Sequence, residues 1–261
     1  MIMVQDDKYE EKRNYLIRCS RYYNGDWTKT AIALRTKERI PDMKICDHCL
    51  TVYDPSYPEK LRRLRYPPWV IYYRGDLSLL ERPAATVVGS RDLCDYGASM
   101  TVHCVRLLSD RFVIVSGLAK GADSMAHRTA IADGGKTIGV IGSGLNVHYP
   151  KGNEDLYRIM GREHLILSEY PDDTGVKRHH FPWRNRILAA LGDCVIVTQA
   201  AMRSGTMLTV NEALELGKEV WCCPYPYNAE EGRGCNALIY QGANILYEDS
   251  VLEQLHPLRQ L

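Results

Sequence analysis

Phenylalanine is almost missing: the 261 residues hold two, Phe112 and Phe181. Net charge is nearly missing too, since 33 Lys and Arg against 32 Asp and Glu leave +1. That excludes a histone-like polycation but not a local basic groove, because a polyanion meets the local field. No window of about 18 apolar residues exists, so no membrane span is expected, and the opening MIMVQDDKYEEKR has no apolar signal core. The nine cysteines are odd in number and lack a secreted-type framework, which points to a reducing cytoplasm and free thiols. Cys46-Asp-His-Cys49 is half a zinc site with no second Cys/His pair at suitable spacing. A structural zinc site closes with four ligands, so no metal is expected. Cys222-Cys223 lies in an apolar run and reads as core.

Catalytic and cofactor signatures are also incomplete. Gly142-Ser-Gly144 opens like a dinucleotide fingerprint, but Val147 stands where the third glycine belongs. Gly134-Gly135-Lys136-Thr137 has the look of a P-loop tail, yet Ala130 replaces the first glycine and the segment precedes a strand instead of following one. No nucleotide or other cofactor is therefore expected. Asp123 and His127 share one predicted helix face, as an acid–base pair could; a helix-capping aspartate and a satisfied histidine account for them more simply. Ser90, Ser116, Ser143 and Ser204 belong to no Ser–His–acid arrangement or Gly-x-Ser-x-Gly elbow. No His/Glu zinc motif exists. Enzymatic function is not supported, though an acid such as Glu212 near the Ser204–Thr206 loop keeps it open.

What is present is an alternation. Residues 1–50 carry weak helical patterns over Tyr9–Arg21 and Thr28–Arg39, a short helical region. Residues 51–82, with Pro55, Pro58, Pro67 and Pro68, read as an extended, turn-rich lead-in. From residue 83 to 261, short apolar runs (Thr86–Val88, Phe112–Val115, Thr137–Ile141, Leu165–Leu167, Cys194–Thr198, Glu219–Cys223) alternate with helix-length segments (Gly97–Leu108, Ala122–Ala132, Asn153–Met160, Asn185–Leu191, Thr206–Leu216). Continuous apolar runs are strands buried on both faces, the mark of a parallel sheet. The expected fold is α/β, with a doubly wound, mostly parallel sheet and right-handed crossovers.

In such a sheet, ligands bind beyond the carboxyl ends of the strands. Those ends carry Gly89-Ser90-Arg91, Ser116-Gly117-Leu118-Ala119-Lys120-Gly121, Gly142-Ser143-Gly144 and Arg203-Ser204-Gly205-Thr206. Glycine lets backbone N–H groups approach an anion, and the following helix adds free donors and a positive dipole end. One such loop would be weak evidence; four on one edge make an anion-binding rim. The stretch KRHHFPWRNR, residues 177–186, adds four cations, two histidines and the second phenylalanine, with no acid. Single-stranded nucleic acid sites combine a cationic track with aromatic platforms. Arg178, Arg184 and Arg186 are the candidate phosphate ligands, and Phe181, His180 or Trp183 the candidate platforms.

The ordered set VVGSRDLCDYG, IVSGLAKGADSMAH, GGKTIGVIGSGLNVHYP, LILSEYP, HHFPWRNRILAAL, SGTMLTVNEALELGKEVW and GCNALIYQGANIL resembles the DprA/Smf family of DNA-processing proteins, over roughly Tyr53 to Leu246. The resemblance implies an extended Rossmann-like fold and binding of single-stranded DNA without sequence preference, usually as a dimer. It also implies protection of incoming DNA and loading of the RecA recombinase in natural transformation. Family DNA contacts map to Ser90 and Arg91; to Ser116, Gly117, Lys120 and Gly121; to Gly142 and Gly144; to Arg178, Phe181, Arg184 and Asn185; and to Ser204, Gly205 and Thr206. Where the family usually has Glu-Ala and Pro-Gly, this chain has Gln199-Ala200 and Pro224-Tyr225. A carboxy-terminal winged helix is not expected. The resulting expectation is a cytoplasmic, non-enzymatic single-stranded DNA-binding protein, residues 83–261 forming its DNA-binding domain. The alternative is a nucleotide-binding enzyme of related scaffold, of the nucleoside-monophosphate phosphoribohydrolase type.

Overall fold

The weakly periodic amino-terminal region forms two helices, α1 (Ile2–Tyr22) and α2 (Trp27–Thr36), in a computed structural model that describes residues 2–255. Asp26 starts α2 by accepting the Lys29 N–H at 2.9 Å, satisfying one of the donors a helix leaves free at its start. Leu16 and Ile17 are fully buried in one cluster with Cys49, Val70 and Tyr72. The Tyr72 hydroxyl donates to Ser20 Oγ at 3.0 Å, so the helical pair is seated on the sheet.

The stretch read as an extended lead-in carries more structure than that. β1 (Cys49–Thr51), a short helix α3 (Glu59–Arg62) and β2 (Val70–Gly75) lie in or beside it. Pro67 and Pro68 stand just before β2, where a missing N–H costs no ladder bond. Val70-Ile71-Tyr72 is the β-branched and aromatic run that the pleated surface accepts well.

Downstream come seven strands: β3 (Ala84–Val88), β4 (Val113–Ser116), β5 (Thr137–Ile141), β6 (Leu165–Ser168), β7 (Cys194–Val197), β8 (Glu219–Cys222) and β9 (Asn244–Ile245). With them alternate α4 (Asp95–Leu108), α5 (Ala122–Ala132), α6 (Glu154–Glu163), α7 (His180–Leu191), α8 (Gly205–Glu215), α9 (Arg233–Tyr240) and α10 (Asp249–Glu253). One sheet results, ordered β1-β2-β6-β5-β4-β3-β7-β8-β9. From β6 to β9 every pairing is parallel. β2 joins β6 antiparallel, with Tyr72 opposite Ser168, and β1 extends it antiparallel. The fold is α/β and Rossmann-like, as expected.

Alternate residues along β4 feed opposite layers. Phe112 and Ile114 pack in a cluster with Cys104, Val105 and Leu108 of α4 and with Ala126 and Ala130 of α5. Val113 and Val115 pack with Ile187, Leu188 and Leu191 of α7. Burial on both faces explains why these strands read as unbroken apolar runs. The order doubles back at β3: the chain steps outward through β4, β5 and β6, then returns to lay β7 on the other side of β3. Loops leaving the two sides diverge there and open a crevice at the carboxyl ends.

Helix α7 begins at His180 instead of the expected Asn185. The basic-aromatic stretch is thus largely the first turns of a helix, with Pro182 in the opening turn, where its missing N–H is no loss. Winding this stretch sends its side chains in different directions. Among the described residues, no helix is long and apolar enough to cross a membrane.

Candidate nucleic-acid interface

The crevice between β3 and β7 is a cavity of about 580 Å³. Ser90 and Arg91 line it from the end of β3, Arg178, Phe181, Arg184 and Asn185 from α7 and its approach, and Ser204, Gly205 and Thr206 from the start of α8. A smaller cavity of about 160 Å³ adjoins it, lined by Gly117 and Lys120 after β4 and by Gly142 after β5. Arg91, Tyr149 and Phe181 border both. Twelve of the expected residues therefore converge on two connected hollows at one sheet edge. Ser116, Gly121 and Gly144 line neither. Ser116 is buried, its hydroxyl donating to the Val87 carbonyl at 2.7 Å. Gly144 donates its N–H to the Thr174 carbonyl at 2.8 Å. Gly121 sits at φ +73° directly beneath the Ser90–Arg91 backbone.

The cations of the stretch divide by the helix face they occupy. Arg178 is exposed, as are Arg91 and Lys120. Arg184, by contrast, is 4% exposed. Its Nη1 donates to the Gly117 carbonyl at 2.8 Å and to that of Val140. Burial pulls its pKa below the usual guanidinium value, with Asp123 opposing that shift. The buried Asp123 carboxyl is pushed up by burial, with Arg184 pulling it back. Arg186 turns away from the cavity altogether. It pairs with Glu169 at 2.6 Å, donates to the Tyr66 carbonyl at 2.9 Å and stacks over Trp183 at 4.1 Å. Arg186 is thus held in a buried pair and is not a free phosphate ligand.

The rings divide likewise. His180 is buried, with Nδ1 hydrogen-bonded to the Gly142 carbonyl at 2.9 Å and its ring stacked on Tyr170 at 3.8 Å. Burial lowers its pKa, and the ring ties α7 to the glycine loop. Trp183 packs toward Tyr66 at 5.7 Å. Phe181 is half-buried, with the Arg91 guanidinium over its ring at 5.4 Å and Tyr149 at 5.7 Å. Tyr149 is 46% exposed and escaped the sequence reading. An aromatic immediately after a glycine loop, in Asn146-Val-His-Tyr149, was the available signal.

Gln199 is the second residue the sequence undervalued. It is 2% exposed; its Oε1 accepts the Cys94 N–H at 3.0 Å and its Nε2 donates to the Asp92 carbonyl at 3.0 Å. Ser90 Oγ closes the same turn, donating to the Asp92 carbonyl at 2.8 Å. The amide thus clamps the segment that carries Arg91, using one donor and one acceptor. A carboxylate offers acceptors alone. Tyr225, the other departure from the family pattern, donates its hydroxyl to the Thr198 carbonyl at 2.8 Å. It meets Gln199 at Gly97, where a Cβ would fall 3.0 Å from the Tyr225 hydroxyl and 3.1 Å from the Gln199 amide carbon. Across the switch point, Thr206 Oγ1 donates to the Gly89 carbonyl at 3.0 Å, tying the start of α8 to the end of β3.

Rossmann-like topology, a rim of glycine loops, exposed cations and a half-exposed aromatic pair meet at the switch point of the sheet. A family model described as DNA recombination-mediator protein A matches residues 48–256. Over 234 residues the chain is 40% identical to the DNA processing protein DprA of Streptococcus pneumoniae, covering 90% of this chain and 79% of that one. The solved structure of DprA from Streptococcus pneumoniae is similar at a TM-score of 0.77 and 41% identity, over 80% of this chain and 74% of that chain. DprA from Helicobacter pylori, described for its single-stranded DNA binding mode, is similar at a TM-score of 0.71 and 30% identity, over 80% and 97%. The chain belongs to the DprA/Smf family of DNA-processing proteins.

Proposed function

We propose that the chain binds single-stranded DNA, without sequence preference, across the switch-point cavities, and acts in DNA transformation and recombination. The observation that carries this reading is the meeting of Arg91, Phe181 and Tyr149 at the boundary of both hollows. Phosphates follow the glycine loops and the exposed Arg91, Lys120 and Arg178, while bases stack on the ring pair. Arg184, from beneath, sets the Gly117 loop. The protein works without catalysis, in the cytoplasm, and delivers RecA to the bound strand. It does so as a homodimer through the segment from Ala237 to Leu255, where Tyr240 and Tyr247 are exposed. A mobility shift with single- and double-stranded DNA of equal length tests the reading; tighter binding of the single strand is expected, and equal or weaker binding sinks it.

The loop geometry makes its own prediction. Gly121 has φ +73° and ψ −126°, and a Cβ there would fall on the Ser90 carbonyl oxygen and 2.7 Å from the Arg91 carbonyl carbon. Gly121→Ala forces a strained backbone costing about 1–3 kcal/mol and displaces the turn that presents Arg91. Single-strand affinity should fall by about tenfold or more, corresponding to about 1.4 kcal/mol. Unchanged affinity in a titration would show that the turn's position is immaterial.

A further inference from the structure

A separate hollow, of about 510 Å³, lies on the other side of the loop that carries Tyr149. Arg74, His148, Glu154, Tyr157, Arg158 and Arg162 shape it. Arg158 and Arg162 are exposed, one turn apart on α6, and so about 6 Å apart along its axis. Among the described residues neither has an ion-pair partner within 4.0 Å. Arg74 reaches the hollow from β2 with its Nη2 donating to Asn146 Oδ1 at 2.8 Å. Two carboxylates border the same space. Asp155 is taken up by Arg128, whose Nη2 donates to it at 2.9 Å and which holds its pKa near 2. Glu154 accepts the Gly152 N–H at 2.6 Å. Three arginines thus face one carboxylate not already paired to a cation.

The divider between this basin and the main site is thin. Tyr149 lines both switch-point cavities, while its neighbour His148 lines the basin, its ring stacked on Tyr157 at 4.4 Å. The Tyr157 hydroxyl donates to the Tyr149 carbonyl at 2.9 Å, holding the loop to α6. A chain leaving the main groove over the exposed Tyr149 ring comes down on the arginines. We propose that the Arg74–Arg158–Arg162 basin is an accessory site for the phosphodiester backbone of the same DNA strand, extending its footprint past Tyr149. This rests on the single-strand reading of the main groove. The spacing of Arg158 and Arg162 suits successive phosphates, and the basin's solvated cations act as electrostatic track, with His148 as a ring at the entrance.

The double variant Arg158→Ala/Arg162→Ala tests it, because alanine keeps an exposed helix face helical and a thermal melt matching wild type verifies the fold. Fluorescence anisotropy is read over a salt series with oligothymidylates of about 6 and about 20 nucleotides, one near the lower end of common single-strand site sizes and one beyond their upper end. For the long oligonucleotide the salt slope should drop by about 1.4, or about 0.7 for each phosphate no longer neutralised, with affinity reduced several-fold. The short one, confined to the main groove, should bind both proteins alike. An unchanged slope with the long oligonucleotide overturns the accessory site, and leaves at most a pocket for free phosphate. Equal losses with both lengths overturn it too, since the arginines then act on the main groove through their general field. Wild-type protein that binds neither length overturns the main-groove reading itself, and the accessory site with it.

Discussion

Arg184→Leu will damage the fold before it removes a DNA contact. The guanidinium supplies the hydrogens for the Gly117 and Val140 carbonyls, and it is a cation pulling on the buried carboxylate of Asp123. Both side chains close on Gly117, where a Cβ would lie 2.5 Å from Asp123 Oδ2. Removing the guanidinium takes the donor from two buried carbonyls, at about 1–3 kcal/mol each, a fall in melting temperature of roughly 4–24 °C for a chain of this size. The loss depends on pH with a definite sign. Burial already raises the Asp123 pKa in the folded state, so folding favours the protonated carboxyl, and that contribution fades as pH rises through the folded value. Without Arg184 the folded pKa climbs further. The variant's deficit should therefore be largest in alkaline buffer and narrow on acidification, and adding Asp123→Asn should recover part of it. Arg178→Ala is the contrast: the exposed side chain leaves the melt unchanged while the salt slope of single-strand binding drops by about 0.7. An Arg184→Leu protein that melts like wild type and loses salt slope would reverse the two roles.

The pairing of Arg178 and Arg184 shows where sequence reasoning stops. Both are arginines in one basic run, and composition treats them alike. Only the helix start at His180 decides that Arg184 points inward beneath Gly117 and that Arg186 points to Glu169. The central strands were legible because burial on both faces leaves continuous apolar runs. The glycine loops were legible because tight strand-to-helix turns need them. β2 was hidden behind Pro67 and Pro68, which punctuate the chain just before it. Gln199 was visible as a departure from the family pattern, but its task depends on Cys94 and Asp92, over a hundred residues away. Long-range hydrogen bonds of that kind leave no periodicity to read.

Phe181→Ala should give the largest loss of DNA affinity without loss of charge. The ring rests on the glycine loop after β5: a Cβ on Gly142 would be 3.2 Å from Phe181 Cδ1. Arg91 covers it at 5.4 Å and Tyr149 flanks it at 5.7 Å. Glycine at 142 thus gives the ring its seat, and the two neighbours hold it half-open at the mouth of both cavities. A base–aromatic contact is worth about 1–3 kcal/mol on truncation to alanine, so affinity should fall roughly 5- to 150-fold, given 1.36 kcal/mol per decade. The salt slope should stay the same, because no phosphate ligand is removed. Phe181→Leu separates stacking from space-filling: it keeps an apolar side chain on Gly142 but offers no flat face to a base or to the Arg91 guanidinium. If stacking is the function, leucine behaves nearly as badly as alanine while tyrosine or tryptophan retains binding. Wild-type affinity for the leucine variant would reduce the ring to packing and remove the reason for a phenylalanine at this position in a chain that has one other.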